Sequence, residues 1–204
     1  LAMIADTRTN AGVDNISSYK KLHITEVPGE RVIAISTAGN LSVTQTALAM
    51  VSEGIKMPGH DDIETLENTP SLFRAAQLVG YALNQVRKEI APSLSADALK
   101  VTASMLLGGQ VRGAKMGLYL IYAQGNFIEG GLDTPYLQIG ELKYGKPILD
   151  RALRPDTPMA EAVKLGLISF DSTVRSNVAV GPPFDMVVIN RDSLHGYQRR
   201  IEAE

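Results

Sequence analysis

A carboxylate and two adjacent lysines near the start of the chain could support acid–base or nucleophilic chemistry. Asp6 follows an apolar run that is typical of a β-strand, and Lys20 and Lys21 begin the next such run. An ammonium group lowers the pKa of a neighbouring amine or hydroxyl nucleophile, and a carboxylate can hold that ammonium in place. Because successive strand residues point to opposite faces, only one of the two lysines can serve. We therefore expect Asp6 and one lysine to flank whatever group begins the first strand.

The same residues also have a purely structural interpretation. Asp6 and Arg8 could form an ion pair that stabilises a turn, and Lys21 could be an exposed strand residue. On residue types alone, the structural interpretation is the more frequent one.

Other motifs give weaker signals. Residues 109–115 resemble a phosphate-binding loop, but three residues instead of four separate the glycines and no Ser or Thr follows Lys115, so a β-hairpin is favoured. His60, Asp61 and Asp62 could bind a metal, but the other histidines lie far along the chain, which favours a solvated loop. A Ser-His-Asp triad stays open, since triads are recognised by geometry.

Composition limits the classes of protein. The chain has 204 residues, 45% hydrophobic, which fits one globular domain with a sizeable core. Its formal net charge of −2 gives no electrostatic reason to expect nucleic acid or a membrane surface as partner. It contains no cysteine, so neither a disulfide framework nor a Cys-based metal site is possible, and we expect no cofactor.

Hydrophobic periodicity predicts runs of strands that alternate with pairs of helices. The helix at 69–91 is the clearest, because Thr69 can cap it, Pro70 suits its first turn, Pro92 ends it, and apolar residues recur at spacings of three and four. That apolar stripe favours a core face over a coiled-coil seam. The other predicted elements are strands near 1–9, 19–27 and 31–37, a helix at 40–57, strands near 99–107 and 117–123, a hairpin at Asn126, a strand at 136–139, a helix after Gly140, a helix at 158–176 capped by Thr157, a strand at 185–190 and a helix at 199–204. This order indicates two sheets with helices outside.

Several stretches resemble the Anbu family, bacterial relatives of the proteasome β-subunit and HslV. The most specific stretch is 5–17, and the later ones follow in the family's order at 19–22, 36–40, 138–147 and 170–173. The resemblance covers most of the chain. It implies an α+β fold, the four-layer αββα sandwich of N-terminal nucleophile (Ntn) hydrolases, as a single domain over 1–204. It also implies that the first strand's N-terminal part and a C-terminal tail are missing from this sequence.

The resemblance further implies a catalytic site. The nucleophile is a threonine at the mature N-terminus, which this sequence does not contain, and its α-amino group is the base. Asp6 is the carboxylate and Lys21 the lysine, preferred to Lys20 because the family's lysine directly precedes the position of Leu22. Gly39 supplies an oxyanion-hole N–H, with a helix N-terminus behind it. Asp171 supports the terminal amine, and Arg8 is a possible accessory residue.

Two departures from the proteasome pattern affect the expected activity. Glu141 stands where proteasomes and HslV carry a serine, with Tyr144 as a substitute hydroxyl, and the family's second serine is either Ser172 or Ser176. Two classes therefore stay open: a cytoplasmic threonine peptidase that cleaves peptide or protein substrates inside a ring or helical homo-oligomer, and an assembly-forming scaffold or binding protein with little proteolytic activity. No metal, nucleic acid or membrane is expected as partner, and a partner ATPase stays unknown.

Overall fold

Two antiparallel sheets hold most of the strands that the computed structural model describes, over residues 1–10, 16–90 and 103–202. The strands are β1 Ala2–Asp6, β2 Arg8–Asn10, β3 Ile16–Ser18, β4 Leu22–Val27, β5 Arg31–Gly39, β6 Ile55–Lys56, β7 Ile63–Glu64, β8 Ala103–Val111, β9 Gly117–Ile121, β10 Phe127–Glu129, β11 Phe184–Ile189 and β12 Gly196–Ile201. The helices are α1 Leu41–Glu53, α2 Leu72–Ile90, α3 Lys146–Ala152 and α4 Met159–Val174. The larger sheet has the order β10-β9-β8-β5-β4 and the smaller one β1-β11-β12.

Strand β5 lies between β8 and β4 and is buried on both faces, and its alternating side chains belong to two cores. Ile33 and Ile35 pack with α1 and α2, together with Met105 and Leu107 of β8. Val32 and Ala34 point the other way and pack with residues of the smaller sheet. The core between the sheets includes Met3, Ala5, Val187 and Ile189. The two sheets therefore lie face to face, with α1 and α2 on the far side of the larger one.

The first strand pairs with a strand from the other end of the chain. In β1, Ala5 lies opposite Asp185 of β11. Only after Asp6 does the chain pair with the residues that lead to Lys21, where β2 pairs with β3 and the Tyr19 N–H donates to the Thr7 carbonyl at 2.7 Å. α4 packs on β1 so closely that a Cβ added at Gly166 would lie 2.8 Å from Ile4 Cδ1. The smaller sheet thus lies between the larger sheet and α4.

Helix boundaries in the first half differ from the predicted ones because other residues cap the helices. Asn40 caps α1 by accepting the N–H of Val43 at 3.1 Å. α1 ends at Glu53 and not at residue 57 as predicted. Gly54 follows with a φ of 98°, a conformation that favours glycine. In α2, Ser71 Oγ and not Thr69 accepts the N–H of Arg74, at 3.1 Å. Pro92 and the predicted strand residues 99–102 lie outside the described residues.

The predicted helix after Gly140 is confirmed as α3 Lys146–Ala152. Two other predictions for the second half are wrong. Residues 136–139 form no strand. Thr157 does not cap α4, because its Oγ1 accepts the N–H of Arg154 at 2.8 Å.

The end of the chain and the glycine-rich stretch are strands and a turn. The predicted helix at 199–204 is wrong, since 196–201 form β12 and pair with β11. Residues 109–115 end β8 and turn into β9, which confirms the hairpin over a phosphate loop. Over the described ranges, no helix combines the length and apolar character needed to cross a membrane.

Candidate functional site

Asp6 and Lys21 meet in a partly buried ion pair. Lys21 Nζ lies 2.8 Å from Asp6 Oδ1 and donates a second hydrogen bond to the carbonyl of Arg8 at 2.5 Å. Only 16% of the Lys21 side chain and 11% of the Asp6 side chain are exposed. Covering an ammonium group is costly unless a counter-charge and hydrogen-bond acceptors accompany it, and Asp6 and the Arg8 carbonyl accept from two of its three N–H donors.

The position of Lys21 follows from an extension of the β4–β5 pairing by one residue. Lys21 lies just before β4, and its carbonyl accepts the N–H of Thr37 at 3.0 Å, which ties it to β5. Lys20 is exposed. The structure thus brings Lys21 and not Lys20 to Asp6. The alternative ion pair of Asp6 with Arg8 does not form in the described part of the chain, where the Arg8 guanidinium bonds to the Val178 carbonyl at 3.1 Å.

The pair lines a large cavity. Its volume is about 810 Å³, and its walls come from β1, the end of β5, residues 135–141, α3 and α4. Its polar lining includes Asp6, Lys21, Thr37, Ser169 and Asn177. A space of this size is in the range of ligand-binding sites, which combine apolar walls with a few polar groups.

Gly39 lies in the same wall, where β5 ends and α1 begins. Its φ of 98° is in the left-handed region that favours glycine. The backbone turns there so that α1 starts two residues later, behind the Asn40 cap. The helix N-terminus therefore places its partial positive charge beside the cavity.

Glu141 also lines the cavity, where its carboxylate is held by two donors. The N–H of Lys143 reaches Oε1 at 2.8 Å, and Asn177 Nδ2 reaches Oε2 at 2.9 Å. Both hydrogen bonds lower the pKa of the Glu141 carboxyl from its ordinary value, and the bond from Lys143 has the larger effect. Glu141 is therefore an anion at neutral pH in the wall that also contains Lys21.

The remaining predicted residues are not brought to the cavity. Tyr144 and Ser172 contact each other, with the Ser172 hydroxyl donating to the Tyr144 carbonyl at 3.3 Å, and Ser176 is exposed. None of the three lines the cavity. Asp171 is 64% exposed and pairs with Arg175 at 3.1 Å. The structure therefore places Asp171 outside the lining of the cavity.

The α4 residues that line the cavity lie on a different helical face from Asp171. Ser169 and Thr173 are buried and line the cavity, and Asn177 follows four residues later. Their spacing of four puts them on one helical face, whereas Asp171, two residues from Ser169, lies on the opposite side. The signal that could have revealed them is the spacing of four between Ser169, Thr173 and Asn177.

Tyr136 is a further residue at the cavity that the sequence did not single out. Its hydroxyl bonds to Asp150, and Lys146 Nζ lies 3.2 Å from the same oxygen. Burial, followed by the Asp150 contact, raises the pKa of Tyr136 above its ordinary value. Tyr136 is therefore neutral at physiological pH and fastens the 135–141 wall to α3.

These features define a mixed α/β protein with antiparallel sheets and a buried lysine–carboxylate pair in a large cavity. Solved structures that resemble it are Anbu from Hyphomicrobium sp. strain MC1, with 45% identity, a TM-score of 0.87 and coverage of 100% of this chain and 83% of that chain, and Anbu (ancestral beta-subunit) from Yersinia bercovieri, with 43% identity, a TM-score of 0.88 and coverage of 98% and 82%. The Anbu complex from Pseudomonas aeruginosa, a helical assembly, is 42% identical with a TM-score of 0.86 and coverage of 98% and 82%. The chain belongs to the Anbu family. No family model and no curated protein matches it.

Proposed function

We propose that the chain is a subunit of a threonine-type peptidase that hydrolyses peptide or amide bonds inside a homo-oligomer. The observation that carries the proposal is the 2.8 Å contact between Lys21 Nζ and Asp6 Oδ1 in the wall of the 810 Å³ cavity. A buried, charge-balanced lysine at a cavity is the arrangement that activates an amine or hydroxyl nucleophile.

The proposed nucleophile is an N-terminal threonine that precedes Leu1 in the complete protein. Its hydroxyl oxygen attacks the scissile carbonyl carbon, and the hydroxyl proton passes to the threonine's own α-amino group. The C–N bond then breaks, the amine product takes that proton, and water hydrolyses the remaining ester. The Lys21 ammonium lowers the pKa of the threonine amine, so that more of it is neutral and able to accept the proton at pH 7.

The other residues have supporting roles. Asp6 balances the charge of Lys21 and fixes its position, and the Gly39 N–H, aided by the N-terminus of α1, stabilises the developing oxyanion. The finer fold that belongs to this chemistry is the αββα sandwich of Ntn hydrolases. It is supported by the two cores on either side of β5 and by the packing of Gly166 on Ile4.

The second candidate is a scaffold or binding assembly of the same fold with little proteolysis. Glu141 favours it, because an anionic carboxylate in the cavity wall raises the pKa of a nearby amine and so opposes Lys21. The exposed position of Asp171 also favours it, since the described residues then leave one expected support of the amine unfilled.

Self-association is part of both candidates. The helical assembly is described for the Pseudomonas aeruginosa protein, and we propose that this chain also forms a homo-oligomer larger than a dimer. Head-to-tail contacts between copies give a ring if the rotation closes and a helix if it does not.

We predict that peptide-hydrolysing activity and assembly occur in the same fraction of the complete protein. Size-exclusion chromatography with light scattering should give a mass well above that of a dimer at micromolar concentration, and mass spectrometry of a peptide library incubated with that fraction should show cleavage. A monomer would contradict the assembly. A large assembly with no more cleavage than the buffer control would reject the peptidase and leave the scaffold.

A further inference from the structure

Residues 6–8, where β1 ends and β2 begins, hold one loop of the cavity wall in place, the loop 178–183. Asp6 Oδ2 accepts the N–H of Gly181 at 3.4 Å, and Thr7 Oγ1 donates to the Pro183 carbonyl at 2.9 Å. Arg8 reaches furthest, with its guanidinium donating to the Val178 carbonyl at 3.1 Å. The loop 178–183 is thus held at both ends and in the middle by residues 6–8.

The Arg8 guanidinium occupies the space that a side chain at position 181 would need. A Cβ added at Gly181 would lie 2.4 Å from Cζ, 2.6 Å from Nε and 2.7 Å from Nη2 of Arg8. Gly181 is itself buried. The flat guanidinium therefore lies against the Gly181 backbone, a packing that suits its planar, weakly hydrated group and that an ammonium cannot reproduce.

The loop 178–183 contacts Asp6 and also lines part of the cavity. Ala179 and Val180 line the cavity, and the next residue, Gly181, directs its N–H at the carboxylate that holds Lys21. Asp6 is therefore fixed from two sides, by Lys21 on Oδ1 and by the loop on Oδ2.

We infer that Arg8 is a positioning residue: through its packing on Gly181 and its bond to Val178, it keeps the loop in place so that Gly181 fixes Asp6 and hence Lys21. The inference rests on the proposed peptidase function for its effect on rate. Its structural part, the dependence of the Gly181 contact on Arg8, is independent of that function.

The test uses the complete protein with Arg8→Met, Arg8→Lys and Gly181→Ala, and with the Arg8→Met/Gly181→Ala double variant. Arg175→Met is the matched control, because Arg175 forms an exposed ion pair on α4 away from the cavity. Two quantities are measured: the rate of acylation by a threonine-directed covalent inhibitor, and hydrogen exchange of the backbone amide at position 181, with assembly checked by light scattering.

We expect Arg8→Met to slow acylation by about 100-fold, the loss that follows from a displacement of about 1 Å in a catalytic group. It should also speed exchange at position 181 while the β5 and α2 amides stay protected. Gly181→Ala should do the same, and the double variant should lose no more than either single one, because both remove one contact. Arg8→Lys should recover only part of the rate, and Arg175→Met should match the unchanged protein.

Unchanged exchange at position 181 in Arg8→Met, additive losses in the double variant, or full recovery by Arg8→Lys would each overturn the inference. If Arg8→Met fails to assemble, the Gly181→Ala and Arg8→Lys results decide in the same way. If the unchanged protein is not acylated at all, the peptidase proposal fails, and exchange at position 181 still decides whether Arg8 holds the loop.

Discussion

Lys21→Ala in the complete protein is expected to reduce acylation by a threonine-directed covalent inhibitor on the order of 10³-fold or more. Members of one catalytic unit are not additive, so the loss of any one member removes most of the rate. The variant removes the ammonium that lies 2.8 Å from Asp6 and would leave the threonine amine protonated at neutral pH. Inhibitor adducts counted by intact-protein mass spectrometry over time give the rate.

Lys20→Ala is the matched control for this prediction. The two lysines are adjacent and carry the same charge, but Lys20 is exposed and Lys21 is 16% exposed at the cavity. The Lys20 variant should be acylated at nearly the unchanged rate. Equal rates for the two variants would reject the assignment of Lys21.

Asp6→Asn should fold and assemble normally and still lose inhibitor labelling at neutral pH. The substitution keeps the shape and an acceptor oxygen but removes the charge, so Lys21 is left with neutral partners only. A covered ammonium without a counter-charge is costly and tends to lose its proton, which removes the cation that acts on the nucleophile. Labelling at pH 7 and light scattering on the same sample measure both parts.

The outcome also separates catalysis from structure. If Asp6→Asn unfolds or dissociates while Lys21→Ala stays assembled, then the role of Asp6 is to hold the 178–183 loop through Gly181. If the variant assembles and is labelled at the normal rate, Asp6 contributes neither to catalysis nor to the stability of the fold. Asn keeps one acceptor oxygen where Asp6 uses two, so the variant removes the charge together with one acceptor, and assembly shows whether that acceptor is needed for the fold.

Part of the site could be predicted from residue types near the ends of strands. Asp6 follows one apolar run and the lysines at 20–21 precede the next, whereas the choice of Lys21 and the assignment of Gly39 came from the resemblance to the Anbu family. The hairpin at 109–115 and the α2 core face followed from the same signals. In each case the information lies within a few residues of the feature.

Features that depend on distant pairing could not be read in this way. β1 pairs with β11, which lies at the other end of the chain, and Lys21 reaches Asp6 from beside the β4–β5 pairing of the other sheet. The stretch 199–204 was predicted as a helix without a stop signal, and only its pairing with β11 shows that 196–201 form a strand. The exposed position of Asp171 could not be read for a different reason, since without the packing a helix position two residues from the cavity face looks equally plausible.

The direct test of the account is to find which residue of the complete, assembled protein carries the inhibitor after acylation. Peptide mapping by tandem mass spectrometry should place the adduct on an N-terminal threonine, at a rate that falls in the Lys21→Ala and Asp6→Asn variants and not in Lys20→Ala. An assembled protein that carries no adduct, or one whose adduct lies on another residue such as Ser169 in the cavity wall, would contradict it.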